Sequence, residues 1–206
     1  MDFSQFYDIL LENILNASYL EIIAVIFGLL SVWFAKKVNI LVFPTGIISV
    51  VIYMYICFGA KLYADAGINF VYLVMSIYGW YAWTRVGEQK KERPISMCSK
   101  KEHIINIFMF VFFFLILNYI LKNYTDSNVP VWDSFTTSIF IVAMWLMAIK
   151  KVENWIYWII ADVISIPLYF YKGLVFTSFQ FTVFLIIAVL GYIEWKKQFK
   201  ESSKIV

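Results

Sequence analysis

The chain has 206 residues and a net charge of +3; 62% of it is hydrophobic, 20% aromatic and only 15% charged, with a mean hydropathy of +0.76. So few charges cannot cover a water-soluble domain of this size, and a lipid bilayer is the solvent that suits the composition. Cys57 and Cys98 form no CxxC, His103 has no neighbouring ligand types, and no GxxxxGK[ST] occurs, which excludes a disulfide scaffold, a metal site, a resident cofactor and a nucleotide-driven pump.

The first element in chain order is FSQFYDILLENILN, where Phe3, Phe6, Tyr7, Leu10, Leu11, Ile14 and Leu15 recur at helical spacing and Asp2, Asp8 and Glu12 face away. This predicts an amphipathic helix over 1–17 lying on the membrane surface. It lacks a basic start and a small-residue cleavage site, so it does not read as a signal peptide. Seven segments of spanning length follow, at 19–35, 38–58, 62–85, 104–121, 134–149, 153–171 and 174–195, since a spanning helix needs about 20 mostly apolar residues.

The loops divide by charge. Lys36 and Lys37; Arg85, Lys90, Lys91, Arg93, Lys100 and Lys101; Lys150 and Lys151; and Lys196, Lys197, Lys200 and Lys204 fall on one side. These are 14 of the 17 basic residues, and Lys61, Lys122 and Lys172 fall on the other. Basic loops stay cytoplasmic, which predicts an inner-membrane, multi-pass protein with its amino terminus outside and its carboxyl terminus inside. The stretch 85–101 is interleaved with Glu88 and Glu92 and flanked by spans, so it reads as a topology signal rather than a nucleic-acid surface.

KKVN (36–39) and KKVE (150–153) follow the first and fifth spans, and YGWYAW (78–83) lines up with LGYIEW (190–195). The expected fold is all-α: two parallel three-helix repeats joined by a linker helix, the 3+1+3 arrangement of the SWEET transporters. The predicted units are the interfacial helix 1–17, a first repeat over 18–85, a basic loop and linker helix over 86–131, a second repeat over 132–196, and a tail over 197–206.

Polar residues mark one face of several spans. In the sixth, Trp155, Trp158, Asp162, Ser165 and Tyr169 are spaced three, four, three and four apart, a single helical face. Asp162 lies nine residues beyond Glu153, about 13 Å into the membrane at a rise of 1.5 Å per residue. A charged aspartate at that depth costs about 2.5–3.5 kcal/mol and must face protein, water or a ligand. Asp65, Asn69, Tyr72, Ser76, Gly79 and Trp83 form a stripe on the third span; Thr177, Gln180, Phe184, Ala188, Gly191 and Trp195 form one on the seventh. The second offers Asn39, Phe43, Gly46 and Tyr53 around Pro44. Aromatic planes beside hydrogen-bonding groups suit a small, flat, polar organic molecule better than a bare ion. The competing readings are interfacial anchoring, favoured for Trp83 and Trp195, interhelical hydrogen bonding for the amides and hydroxyls, and helix capping for Asp65 and Asp133.

These residues resemble the PnuC family of nicotinamide riboside transporters. The resemblance covers nearly all of the chain after the first helix. It is carried by N-x3-FP-x-G (Asn39, Phe43, Pro44, Gly46), LYAD (62–65) with YGWYAW, DSFTTS (133–138), and ENW-x2-W-x3-D with LY-x2-KG (Glu153 to Gly173). It implies a facilitator, not an enzyme, which binds the riboside between its repeats and passes it down its gradient to a cytoplasmic riboside kinase. It also implies a homotrimer. The expected substrate-binding residues are Trp155, Trp158, Asp162, Asn39, Phe43, Asn69, Tyr72 and Gln180, with an amide at the Asp162 position in other members. Indole faces attract a pyridinium cation by about 0.5–2 kcal/mol, and a cation gains roughly 2.3 kcal/mol per 100 mV on moving inward. Thiamine, deoxynucleosides and, in another class, an ion channel built on Asp162 are the alternative readings.

Overall fold

The computed structural model describes residues 18–85 and 94–202; the predicted interfacial helix 1–17, most of the basic loop and the last residues of the tail lie outside that range. Ser18 caps the first helix by accepting a hydrogen bond from the Glu21 N–H, and α1 runs over Tyr19–Lys36. It is followed by α2 (Val42–Gly59), α3 (Tyr63–Thr84), α4 (Lys100–Tyr124), α5 (Pro130–Ala148), α6 (Asn154–Tyr171) and α7 (Val175–Ser202). The linker α4 starts four residues before the apolar run because Ser99 and Glu102 form a capping box, each side chain bonding the other's backbone N–H. Pro130 opens α5 in the same way ahead of its apolar stretch, a position where its missing N–H costs nothing.

Five of the seven helices (α1, α2, α4, α5 and α7) are long and apolar enough to cross a membrane. The other two, α3 and α6, carry the most polar of the predicted stripes. Helix α5 is the most enclosed of the five; Ser134, Thr136 and Ser138 return their hydroxyls to the carbonyls of Pro130, Trp132 and Ser134 at 2.6–3.0 Å, so they add no unsatisfied donor to it.

Helices α1, α2 and α3 pack consecutively, as do α5, α6 and α7; α3 meets α5, α1 meets α7, and α4 leans on α5. The backbone repeats with the same pattern. Val38 and Lys150, both at φ 55°, donate to the carbonyls of Ala35 and Met147, and the next N–H groups, of Asn39 and Lys151, bond Phe34 and Leu146. At the other end Lys61 and Gly173 have φ values of 60° and 75°, and Leu62 and Leu174 close matching turns onto Cys57 and Tyr169. Each pair is related by a shift of 112 positions (38 to 150, 61 to 173). YGWYAW and LGYIEW obey this register, whereas KKVN and KKVE are two positions out of it: lysines abound at this end of the bundle, and their identity does not fix the turn.

The same shift carries Phe43 to Trp155, Gly79 to Gly191 and Trp83 to Trp195. Phe43 meets Trp83 edge-on at 5.0 Å and 90°, and Trp155 meets Trp195 at 5.8 Å and 84°. Each glycine lets a ring lie flat on its helix: a Cβ on Gly79 would collide with the Phe43 ring, and one on Gly191 would stand 2.6 Å from Trp155 Cζ2. Gly79→Ala and Gly191→Ala are each expected to cost about 1–3 kcal/mol through overpacking, read as a fall in the detergent-solubilised melting temperature. Unchanged melting for both would mean that the rings move aside freely.

The strand-like segment ahead of α4 is fastened to the α5–α6 turn. Ser96 donates to the Lys150 carbonyl and accepts from the Val152 N–H, both at 3.0 Å. Cys98 N–H donates to Glu153 Oε1 at 2.8 Å, and Lys151 Nζ reaches Glu102 at 2.7 Å and the Met97 carbonyl at 3.2 Å. These bonds hold the turn from which α6, the helix with the aspartate, departs.

Candidate substrate-binding site

Period 3.6 alone aligns Trp155, Trp158, Asp162 and Ser165 along α6, and packing turns that stripe inward. Trp155 is 1% exposed, Asp162 1% and Ser165 0%. The Trp155 Nε1, both Asp162 carboxylate oxygens and the Ser165 Oγ have no hydrogen-bond partner within the protein. Buried polar groups are nearly always satisfied, and an unmade bond costs about 1–3 kcal/mol, more for a charge. Four such atoms lie on one helical face, which also carries the Trp155 and Trp158 indoles; Asn118 Oδ1, Glu153 Oε2 and Asn154 Oδ1 are likewise unpartnered elsewhere.

Trp158 is half-buried and bridges two packed groups, touching Phe140 at 5.3 Å. Tyr72 of α3 packs into the same group, around Ile139, Phe140 and Ala161. Gln180 lies half-buried in the second turn of α7. Trp158 and Tyr72 are therefore gathered around one group, and Asp162 follows its member Ala161 along α6.

Three expected site residues are employed elsewhere. Asn39 is exposed, and its Oδ1 accepts from the Leu41 N–H at 2.9 Å, closing the turn before α2. Asn69 returns its amide to the Asp65 carbonyl of its own helix at 2.9 Å. Phe43 is 1% exposed inside the Trp83 group, as is its repeat counterpart Trp155. Asn69 and Gln180 are also one position out of register, since the shift pairs Asn69 with Phe181 and Gln180 with Ile68. A one-residue slip turns a helical side chain by about 100°.

Trp83 and Trp195 correct the sequence reading outright. They are 4% and 0% exposed, not interfacial anchors. Trp83 Nε1 donates to the Met147 and Ala148 carbonyls and Trp195 Nε1 to that of Ala35, at 2.9–3.3 Å. Each closes the end of the first helix of the other triplet, where the last carbonyls lack helical partners. Phe140 and Phe181 were missing from the expected set; the two phenylalanines, among 20, carried no sequence signal.

Among the described residues no group of His, Cys, Asp and Glu is placed to hold a metal. A helical bundle with several membrane-length apolar helices and unpartnered polar atoms buried along one inner helix has the make-up of a membrane transporter. A family model described as nicotinamide mononucleotide transporter matches residues 18–197. The nicotinamide riboside transporter PnuC of Escherichia coli K12 is 28% identical, over 98% of this chain and 97% of that protein; its Neisseria mucosa counterpart is 26% identical, over 90% and 75%. The riboflavin/roseoflavin transporter RibM of Streptomyces davaonensis is 23% identical, over 90% and 88%. A crystal structure of the vitamin B3 transporter PnuC superposes with a TM-score of 0.71 at 26% identity, covering 96% of this chain and 90% of that one. The chain belongs to the nicotinamide mononucleotide transporter family, a family of transporters and not of enzymes.

Proposed function

We propose that the protein carries nicotinamide riboside across the bacterial inner membrane, with the riboside held against the inward face of α6. The unsatisfied quartet of Trp155 Nε1, the two Asp162 oxygens and Ser165 Oγ carries this reading. Ribose hydroxyls both donate and accept, so they satisfy a carboxylate and a serine together, while Trp158 and Tyr72 present ring faces to the pyridinium. The family model and the relatives named for the riboside support the substrate.

In this reading 18–85 and 132–196 are parallel three-helix repeats about an axis along the membrane normal, with 86–131 as loop and linker and 197–206 as tail. The recurring 112-position register and the reciprocal α3–α5 and α1–α7 contacts support it. The substrate moves down its gradient, the protein is a homotrimer, and a cytoplasmic kinase traps the product. Uptake of labelled nicotinamide riboside, thiamine and riboflavin into proteoliposomes tests the substrate. The riboside is expected to be carried with clear preference; equal or greater riboflavin uptake would overturn it. Conductance in a planar bilayer without organic substrate would instead favour a channel.

The basic end, with Lys36, Lys37, Lys150, Lys151, Lys196 and Lys197, is placed in the cytoplasm and the Lys172 end outside. Native Cys98 is a poor reporter of this. Burial and the Glu153 carboxylate push its thiol up to about 12, away from the reactive thiolate form. In a background with both cysteines replaced, Tyr171→Cys is expected to react with an impermeant maleimide added to intact cells, and Lys37→Cys only after lysis. The reverse order would invert the topology.

A further inference from the structure

An aromatic ladder runs along the bundle from Trp158 to the Lys172 end. Trp158 of α6 touches Phe140 of α5 at 5.3 Å; Phe140 stacks on Phe181 of α7 at 5.7 Å and 21°; Phe181 stacks on Tyr169 of α6 at 5.0 Å and 16°. The last rung is already occupied by a cation. Lys172 Nζ lies 5.4 Å from the centre of the Tyr169 ring and is ion-paired with Asp133, whose other carboxylate oxygen accepts from Ser127 Oγ at 2.7 Å. Asp65, exposed in the first turn of α3, lies at the same end of the bundle, where the matching turns at Lys61 and Gly173 fall. This end therefore carries two carboxylates, one of them paired with the Lys172 ammonium.

We propose that the Tyr169 ring face and the Asp65 carboxylate form an outer capture subsite for a cationic aromatic ring, and that Lys172 is its resident plug. The ammonium and a pyridinium compete for the same ring face by the same attraction. When the ring arrives, Lys172 withdraws along its flexible stem while Asp133 holds its charge, and Asp65 is left to neutralise the newcomer. Phe181 and Phe140 then offer successive ring faces toward Trp158. The subsite admits planar cations ahead of neutral molecules of the same shape. It lies at the opposite end of α6 from Trp155, and it rests on the orientation and the riboside reading proposed above.

The test compares proteoliposome uptake of nicotinamide riboside with that of its 1,4-dihydro form, which has the same size and an uncharged ring. Lys172→Gln is expected to lower KM for the cation by about two- to fivefold at low salt and leave the neutral form unchanged. Tyr169→Leu is expected to raise KM for the cation about threefold or more, with a smaller effect on the neutral form. Lys172→Arg keeps the charge and should retain the parental preference. Because Lys172→Gln also breaks an ion pair, melting temperatures are measured alongside; if Lys172→Gln or Tyr169→Leu shifts both substrates equally, or neither, the subsite is overturned. If the parent carries no riboside, the substrate assignment itself fails. The same variants scored on thiamine against riboflavin then decide the subsite separately.

Discussion

Trp155→Ala is expected to unfold the protein before it reveals anything about binding, whereas Trp158→Ala is expected to abolish tight binding in a protein that melts normally. The two indoles share one face of α6 but not one environment. Trp155 is 1% exposed, lies flat on Gly191 and meets Trp195 edge-on. Its truncation leaves a large cavity in the group that joins Ala35, Phe43, Trp83, Met147 and Ala188, a loss of about 3–5 kcal/mol. Trp158 is half-buried, with part of its ring in contact with Phe140. Loss of a desolvated ring face should weaken the riboside by about 2 kcal/mol, roughly thirtyfold. Thermal melting and equilibrium binding, measured on both variants, separate the roles. If Trp155→Ala melts like the parent while Trp158→Ala collapses, the two assignments are reversed.

Asp162 gives the second large effect, in opposite directions on stability and on binding. Its two oxygens are buried without a protein partner, a cost the empty transporter bears and the bound substrate relieves. Asp162→Ala is expected to raise the melting temperature of the ligand-free protein, by an amount equivalent to about 1–3 kcal/mol, and to remove measurable riboside binding. Asp162→Asn distinguishes how the carboxylate acts. If it holds the pyridinium charge, the amide should lose about 2 kcal/mol or more, about thirtyfold. If it hydrogen-bonds the ribose, the amide still accepts and the loss should stay within a few-fold. The second outcome is expected, since the rings suffice to hold the cation. An alanine variant that binds and transports like the parent would place the site elsewhere.

Much of this protein was legible in one dimension. Hydropathy and helix length located seven helices; Ser99 with Glu102 and Pro130 start α4 and α5 four residues early, the turn at Val38 and Asn39 delays α2 to Val42, and α7 runs on past its apolar stretch to Ser202. Lysine placement supplied a topology, and the 3.6-residue period put Trp155, Trp158, Asp162 and Ser165 on one face before any neighbour was known. Those are properties that a residue carries along its own helix. What a face meets depends on register and on the opposing helix. Asn39 and Asn69, read as ligands, bond their own backbones, because a short amide finds a local acceptor or donor sooner than a distant one. Trp83 and Trp195 sit at the depth of interfacial anchors, yet each closes the other triplet's first helix. Only the 112-position register brings those partners together. Phe140 and Phe181 became rungs of a ladder through the meeting of α5, α6 and α7. Depth and face are written in sequence spacing; contact across helices is set by packing, and apolar side chains advertise no particular partner until they are packed.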